Sequence, residues 1–365
     1  MNVLFLTTHV NTGGITSYLL TLGEGLVKAG HKVLVASSGG DCVSRFEASG
    51  IRHVGINIRT KSEAHPKLLL ALPSLDRLVQ DEHIQIIHAQ TRVTQVLGHW
   101  LALSRRVPMV STCHGFFKPR LFRRIFPCWG KAVIAISKPV ARHLDKDLGV
   151  DPQKIHLIAN GIDLEHFIMT DAPKRLQLRQ KWNISSRKVI GVIARLSDVK
   201  GISVLINALP LVLKEIPSAT LLIAGQGPEE TNLKKITRDL SLTDHVRFED
   251  TIGQTTDLLP VFDVFVMPSL MEGLGLSVIE AQACGIPVVA SRVGGLVDLI
   301  DEGASGYLVN SRDPSALARR IIDVLKDPDG AHIMALQARS NIEQHFSAKR
   351  MVKQTLELYE QYSRC

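Results

Sequence analysis

Residues 263–276 combine an apolar run, a proline and a glycine-rich turn: Asp263-Val264-Phe265-Val266-Met267-Pro268-Ser269-Leu270-Met271-Glu272-Gly273-Leu274-Gly275-Leu276. The apolar run predicts a buried strand that ends at the proline. Gly273 and Gly275 predict a turn where backbone approaches a ligand closely, and a helix carrying Glu280 follows. Free N–H groups at that helix start suit an anion or a hydroxyl-rich group. We predict a binding site between Glu272 and Glu280; an ordinary turn with two solvated glutamates is the alternative.

Short apolar runs alternate with amphipathic stretches along the whole chain, which is typical of parallel sheets covered by helices. The first half has predicted strands at Val3–Thr7, Lys32–Ala36, Ile84–His88, Met109–Thr112, Ala132–Ile136 and Ile155–Ile158. The second half has them at Val189–Ala194, Thr220–Ala224, Val246–Phe248, Val264–Met267, Pro287–Ala290 and Tyr307–Val309. The polar stretch 164–187 lacks a predicted strand, so we place the connection between two α/β units there.

Composition describes an ordinary globular protein large enough for two cores. The chain has 365 residues, of which 45% are hydrophobic and 21% charged, and one core rarely grows to that size. Its 5 cysteines include no C-x-x-C pair, which favours a reducing compartment and argues against structural zinc. We recognise neither a signal peptide nor an apolar run of spanning length. We therefore expect a cytoplasmic protein.

The formal charge of +8 is compatible with nucleic acid, an anionic membrane or a negatively charged small molecule. Residues 116–131 mix cations with large apolar side chains and contain no acid: Lys118, Arg120, Arg123, Arg124 and Lys131 beside Phe116, Phe117, Phe122, Phe126 and Trp129. This mixture suits attraction to anionic headgroups followed by insertion. The alternative is a loop with core aromatics and solvated charges. No nucleic-acid-binding motif accompanies the segment, so we expect no nucleic acid.

The second unit opens with a cationic pair at a strand end. Arg195 follows the predicted strand Val189–Ala194, and Lys200 lies at the start of the next helix. Open α/β sheets bind ligands at this edge, and an arginine and a lysine beside a helix N-terminus can neutralise a diphosphate. A solvated basic turn is the alternative. Another glycine turn, at Gly225, follows the next strand.

The first unit has two candidate site elements. Gly13 and Gly14 follow the strand Val3–Thr7, but the turn is not G-x-G-x-x-G and no acid occupies the usual ribose position, which argues against a dehydrogenase. His114 comes directly after the strand Met109–Thr112 and Cys113, and precedes a glycine. A histidine at such a position favours a site over a purely structural role.

The E-x7-E pattern of Glu272 and Glu280, and the R-x4-K-G pattern from Arg195 to Gly201, resemble those of the retaining nucleotide-sugar glycosyltransferases of family 4. The resemblance covers nearly the whole chain and is weakest between Cys42 and Gln80. It implies the α/β GT-B fold, in which two Rossmann-like domains face each other across a cleft. Residues 1–170 would form the acceptor-side domain, residues 171–347 the donor-binding domain, and the helix 348–365 would cross back to the first.

The resemblance also implies roles for residues. Arg195 and Lys200 would grip the leaving diphosphate, and Glu280 would bind the ribose hydroxyls. Glu272 and His114 would contact the donor sugar. His114, Arg195, Lys200 and Glu272 are thus the expected catalytic residues. The remaining donor-binding positions are Gly13, Gly14, Gly225, Gly273, Leu274, Gly275 and Leu276.

We expect neither a metal nor another cofactor. The D-x-D sequences, Asp145–Asp147 and Asp327–Asp329, do not follow a strand, and cationic side chains can stabilise the leaving group instead. The resemblance implies retaining transfer of a hexose or N-acetylhexosamine from a UDP- or GDP-sugar to a glycan or lipid-linked acceptor. The setting would be cell-envelope polysaccharide, lipopolysaccharide or glycolipid synthesis, with the enzyme cytoplasmic or peripheral on the inner face of the plasma membrane. A sugar-nucleotide epimerase or hydrolase and a non-catalytic glycan-binding protein are the alternatives.

Overall fold

The computed structural model describes residues 1–60, 62–63, 65–118, 123, 125–185, 188–250 and 255–363. The chain forms two units, Met1–Gly161 together with Ala348–Cys365, and Ile162–Ser347. The first unit therefore ends at Gly161, before the boundary that the sequence suggested at residue 170. Two Rossmann-like α/β units were predicted, and the structure confirms them.

The first unit is built on a parallel sheet in which seven strands are described, in the order β3-β2-β1-β4-β5-β6-β7. The strands are β1 Asn2–Leu6, β2 Lys32–Ser37, β3 Arg52–Gly55, β4 Ile86–Ala89, β5 Met109–Cys113, β6 Ala132–Ala135 and β7 Ile155–Leu157. Most are continuous apolar runs, as expected where helices cover both faces. The sequence did not reveal β3, because this edge strand is only half-buried and carries Arg52 and His53 instead of an apolar run.

The second unit repeats this plan with six described strands in the order β10-β9-β8-β11-β12-β13. They are β8 Lys188–Ile193, β9 Ala219–Ala224, β10 Val246–Glu249, β11 Val264–Met267, β12 Val288–Ser291 and β13 Tyr307–Val309. In each sheet the strand order reverses once, between β1 and β4 and between β8 and β11. Ligands of open α/β sheets bind beyond the carboxyl ends of strands at such a reversal.

The described helices connect these strands. In the first unit they are α1 Gly14–Lys28, α2 Val43–Ala48, α3 Lys67–Asp81, α4 Arg92–Arg105 and α5 Lys138–Lys146. In the second they are α6 Ala172–Lys181, α7 Ile202–Glu215, α8 Glu230–Asp239, α9 Thr255–Leu258, α10 Leu276–Ala283, α11 Leu296–Leu299, α12 Pro314–Lys326 and α13 Pro328–His345. The last helix, α14 Ala348–Ser363, returns to the first unit.

Helix α14 shares a hydrophobic core with α1 and the first sheet. Val352 packs where Gly25 of α1 leaves room, since a Cβ at Gly25 would approach Val352 Cγ2 to 2.3 Å. The fully buried Tyr359 hydroxyl lies 2.6 Å from Nδ1 of His88 on β4. A buried polar pair of this kind is costly to break, because each partner would be left without a hydrogen bond.

The polar stretch 164–187 is not a free connection. It contains α6, whose Arg175 and Arg179 donate to the two carboxylate oxygens of Asp263, at 2.9 and 2.6 Å. Asp263 Oδ2 also accepts from the backbone N–H of Val189, at 2.6 Å. Two charged side chains of this polar stretch, Arg175 and Arg179, thus attach α6 to the second sheet.

Candidate active site

In the second unit, the loops after β8 and β11 meet at the carboxyl edge. Leu270 N–H donates to the Val199 carbonyl at 2.8 Å. Gly201 has φ +61°, and a Cβ there would approach the Pro268 carbonyl oxygen to 2.1 Å. Because only glycine permits this approach, Gly201 allows the two loops to pack against each other.

Lys200 and Glu272 form an ion pair across these loops. Lys200 Nζ lies 2.5 Å from Glu272 Oε2, and the side chains are only 23% and 12% exposed. Ser269 Oγ donates to the same carboxylate oxygen at 3.3 Å. The Arg195 side chain is exposed, and none of the described residues pairs with it. At this edge, therefore, Lys200 is held by a carboxylate, whereas Arg195 is open to a ligand.

The glycine turn after β11 opens α10. Gly275 is the N-cap with φ +106°, and its carbonyl accepts from Val278 and Ile279 at 3.0 and 3.1 Å. The N–H groups of Leu276 and Ser277, which precede these bonds, have no acceptor among the described residues and are available to an anion. Leu274 is buried, at 2% exposure, so this predicted donor-binding residue can offer only its backbone.

Glu280 lies in α10 and is half-buried. No described residue donates a hydrogen bond to its carboxyl group. Burial raises the pKa of Glu280 to about 8, because an apolar environment disfavours the ionised form. The chain thus holds a carboxyl group that lacks a protein partner and can bind ligand hydroxyls.

The turn after β9 packs against the loop after β8. A Cβ at Gly225 would approach the Ala194 carbonyl oxygen to 2.0 Å, and one at Gly227 would approach that of Leu196 to 2.1 Å. Leu196 N–H donates to Gln226 O at 2.9 Å. Gly225 is thus explained by close backbone packing beside Arg195.

In the first unit, the turn after β1 leads directly into α1, with Gly13 as its N-cap and Gly14 as its first residue. The preceding Thr12 donates its N–H to Asp41 Oδ1 at 2.7 Å. Asp41 follows β2, so two neighbouring strand ends are connected. Asp41 was not predicted to be a site residue, because a lone aspartate in a loop carries no pattern.

His114 follows β5, and its Nε2 lies 2.8 Å from Oε1 of Gln90, which follows the adjacent strand β4. Burial lowers the pKa of His114 to about 3, so the ring is neutral near pH 7. Gln90 was not predicted to be a site residue either. Its position at the end of a buried strand beside His114's strand is the signal that could have found it.

The predicted residues therefore gather at the carboxyl edges of their own sheets. The first edge carries Gly13, Gly14 and His114. The second carries Arg195, Lys200, Gly225, Glu272, Gly273, Leu274, Gly275, Leu276 and Glu280.

The structure does not support every part of the membrane-insertion hypothesis for residues 116–131. Trp129 is buried, at 5% exposure, so it is a core residue. The Arg123 guanidinium lies 4.7 Å from the Phe117 ring centroid and 5.7 Å from that of Trp129. Lys118 is exposed. Arg120, Phe122 and Arg124 lie outside the described residues.

Among the described residues, no group of three or more histidine, cysteine or acidic side chains could hold a metal ion. No helix in the described part of the chain is long and apolar enough to cross a bilayer.

Comparison with known proteins identifies the family. The model for Glycosyltransferase Family 4 matches residues 12–166, and that for glycosyl transferases group 1 matches residues 174–341. The chain is 27% identical to the Bacillus anthracis N-acetyl-alpha-D-glucosaminyl L-malate synthase, over 97% of this chain and 95% of the relative. It is 28% identical to an Escherichia coli UDP-Gal:alpha-D-GlcNAc-diphosphoundecaprenol alpha-1,3-galactosyltransferase, over 80% of this chain and 79% of the relative.

Among solved structures, Anabaena HepE in complex with UDP-glucose superposes with a TM-score of 0.89, at 23% identity, covering 99% of this chain and 100% of that one. This likeness concerns the fold, which is that of the GT-B glycosyltransferases. Together with the two family models, it establishes that the chain belongs to the group 1 (family 4) glycosyltransferases.

Proposed function

We propose that this glycosyltransferase is a retaining, metal-independent enzyme that moves a hexose or N-acetylhexosamine from a UDP- or GDP-sugar to a hydroxyl acceptor. The observation that carries the proposal is the Lys200–Glu272 pair, 2.5 Å apart, beside the exposed Arg195 at the reversal of the second sheet. The names of the galactosyltransferase relative and of HepE's ligand, both of which contain UDP, support a nucleotide-sugar donor.

The cations would stabilise the leaving diphosphate. Arg195 is available to an anion, and Lys200 can contact a phosphate while remaining near Glu272. The N–H groups at the start of α10 add fixed dipoles aimed at the same edge. Because the chain itself supplies this positive charge, the leaving group needs no metal ion.

The carboxylates would orient the donor. Carboxyl oxygens accept hydrogen bonds from adjacent hydroxyls whether or not the group is ionised, which suits Glu280 for the ribose and Glu272 for the sugar. Neutral His114 would contact a sugar hydroxyl. Glu272 positions the sugar in this proposal and forms no covalent bond to it; the acceptor hydroxyl attacks on the face that the diphosphate leaves.

A lipid-linked acceptor is our proposal for the second substrate. The Escherichia coli relative's name specifies one, whereas that of the Bacillus anthracis relative specifies L-malate. An apolar face of the first unit favours the lipid. Leu69 and Trp100 line one groove between α3 and α4, and Phe126 lies 6.1 Å from Trp100, ring to ring. The exposed apolar residues of α3, α4 and the adjoining segment are Leu69, Leu70, Trp100, Leu103 and Ile125, and we assign them to this face.

We call these five residues the α3–α4 face and propose that it rests on the anionic inner surface of the plasma membrane. Lys118 and Arg123 follow in the adjoining segment and would add attraction to the headgroups. The described aromatic side chains of 116–131 are buried or half-buried, so apolar insertion would come mainly from the helices.

The proposed function is tested by thermal-shift measurements with nucleoside diphosphates and UDP- or GDP-sugars, followed by product analysis. A ligand that binds only the native state raises its apparent stability. Transfer to an added acceptor, with retained anomeric configuration, is the expected result. Complete conversion of the donor to an epimer without acceptor would identify an epimerase, and nucleotide binding without turnover would identify a binding protein.

A further inference from the structure

Gln90 and His114 face each other from neighbouring strand ends. Strands β4 and β5 are paired in parallel, with Ala89 opposite Ser111. Gln90 is 3% exposed, and its backbone N–H donates to Leu6 O at 3.0 Å. Its side-chain Oε1 lies 2.8 Å from His114 Nε2.

The surroundings of Gln90 define which way its amide points. Its Nε2 donates to the carbonyl oxygen of His88 at 3.4 Å, and a carbonyl oxygen can only accept. The amide oxygen therefore faces His114. Because that oxygen is also only an acceptor, His114 Nε2 must carry the proton.

The ring of His114 is held from a second side by Tyr18, with centroids 5.0 Å apart in an edge-to-face arrangement. The Tyr18 hydroxyl lies 3.3 Å from Thr112 Oγ1, which is 2.7 Å from His88 Nε2. The titratable groups facing His114 are thus Tyr18 of α1 and His88 of β4, with Tyr359 of α14 behind His88. No described residue forms an ion pair with the ring or a hydrogen bond with Nδ1.

We propose that Gln90 is a positioning residue for the transfer reaction: its side-chain carbonyl holds His114 as the tautomer protonated at Nε2, so that Nδ1 accepts a hydrogen bond from a donor-sugar hydroxyl. The identity of that hydroxyl rests on the proposed function. The position of the proton is a property of the free protein. Burial, which lowers the pKa of His114 to about 3, keeps the Nδ1 lone pair available at neutral pH.

The free protein provides the first test. Nitrogen NMR of histidine-labelled protein, with His114 assigned by its loss in His114→Asn, should show a protonated Nε2 and an unprotonated Nδ1 from pH 5.5 to 8. A proton on Nδ1, or titration near the ordinary pKa of about 6.5, would overturn the proposal even if the enzyme were an active transferase.

Two variants provide the second test. Gln90→Glu places a carboxylate beside the ring, which favours the imidazolium and should raise the pKa of His114. Its kcat/KM with UDP-glucose as the probe donor should fall about tenfold from pH 8 to pH 6, because protonated Nδ1 no longer accepts a hydrogen bond. The wild-type profile should stay flat over that range.

Gln90→Leu should lower kcat about tenfold at every pH, the usual effect of losing one oriented hydrogen bond, and leave UDP affinity unchanged. A wild-type pH profile in Gln90→Glu, or equal losses of UDP affinity and kcat in Gln90→Leu, would reduce Gln90 to a structural role and contradict the proposal. If wild type turns over no nucleotide sugar, the proposed function fails, and the NMR result still decides the position of the proton.

Discussion

Lys200 Nζ contacts Glu272 Oε2 at 2.5 Å although the two residues belong to loops after different strands, β8 and β11. In the ligand-free protein the carboxylate thus neutralises a cation that a diphosphate would also attract. When a donor binds, Lys200 would have to interact with both the Glu272 carboxylate and the diphosphate. This relationship makes the two side chains energetically coupled.

Lys200→Ala should weaken nucleoside-diphosphate binding and lower turnover by about 10²-fold, because a cation is removed and Glu272 then repels the phosphates. Adding Glu272→Gln should restore part of the nucleotide affinity but not the transfer. Calorimetric titration with UDP and GDP measures both effects, and Lys214→Ala, at an exposed position of α7, is the control. Unchanged diphosphate affinity in Lys200→Ala would contradict the site assignment.

Glu280 should make the protein less stable as pH rises. The pKa of Glu280 is raised to about 8 in the folded state from an ordinary 4.5, so between these values the folded state binds a proton that the unfolded state has lost. The stabilising contribution of this group is then fully present below pH 4.5 and is lost as pH approaches 8, by about 2 kcal/mol between pH 6 and pH 8. Chemical denaturation at the two pH values measures the change.

In Glu280→Gln this contribution should disappear, whereas Glu357→Gln, on the exposed surface of α14, should keep it. Glu280→Gln should also weaken nucleotide binding if the carboxyl group holds the ribose. An unchanged pH dependence in Glu280→Gln would show that another group is responsible.

Chelation should leave transfer intact. In the proposed mechanism the positive charge for the leaving diphosphate comes from Arg195, Lys200 and the start of α10, so the reaction should require no divalent cation. Activity measured after dialysis against EDTA should equal that of the untreated enzyme. Complete loss, with specific recovery on addition of manganese or magnesium, would refute metal independence.

Tyr359→Phe should lower the free energy of unfolding by about 1–3 kcal/mol, because it leaves His88 Nδ1 buried without its partner at 2.6 Å. Tyr362→Phe is the matched control on the same helix, since Tyr362 is only half-buried and contacts the His156 ring by its edge. Urea denaturation should show less than about 0.5 kcal/mol for the control. Equal losses in the two variants would mean that the Tyr359 hydroxyl does not contribute to the free energy of unfolding.

Replacing Leu69 and Leu70 of the α3–α4 face with serine should release the protein from anionic vesicles and leave UDP binding unchanged. The physical reason is loss of apolar insertion, since Leu70 is 78% exposed and each buried leucine contributes about 1.5–3 kcal/mol. Co-sedimentation with phosphatidylglycerol vesicles at low salt is the measurement. Ile333→Ser, at a 68% exposed position of the second unit, should still bind.

If wild type ignores such vesicles, the face does not bind a membrane and a soluble acceptor becomes the better hypothesis. Dimerisation lost in the double serine variant, seen by analytical ultracentrifugation, would instead assign the face to a second copy of the chain.

Local pattern was sufficient for most of the fold. Apolar runs predicted β1, β2 and the strands from β4 to β13. Most of these strands are buried on both faces of a parallel sheet, which requires apolar side chains along nearly their whole length. The E-x7-E and R-x4-K-G patterns were visible because catalysis needs particular residue types at particular spacings along one loop. The edge strand β3 was not predicted, because it is partly exposed and its side chains therefore need not all be apolar.

Contacts between residues far apart in the sequence could not be predicted from local patterns. Gln90 beside His114, Thr12 beside Asp41, and α6 attached to Asp263 each join residues whose pairing depends on strand order, and strand order leaves no local pattern. The same holds for the burial that raises the pKa of Glu280 and lowers that of His114. Trp129 shows the limit most clearly: its sequence neighbourhood is as basic as a membrane-binding surface, yet its side chain is only 5% exposed in the folded protein.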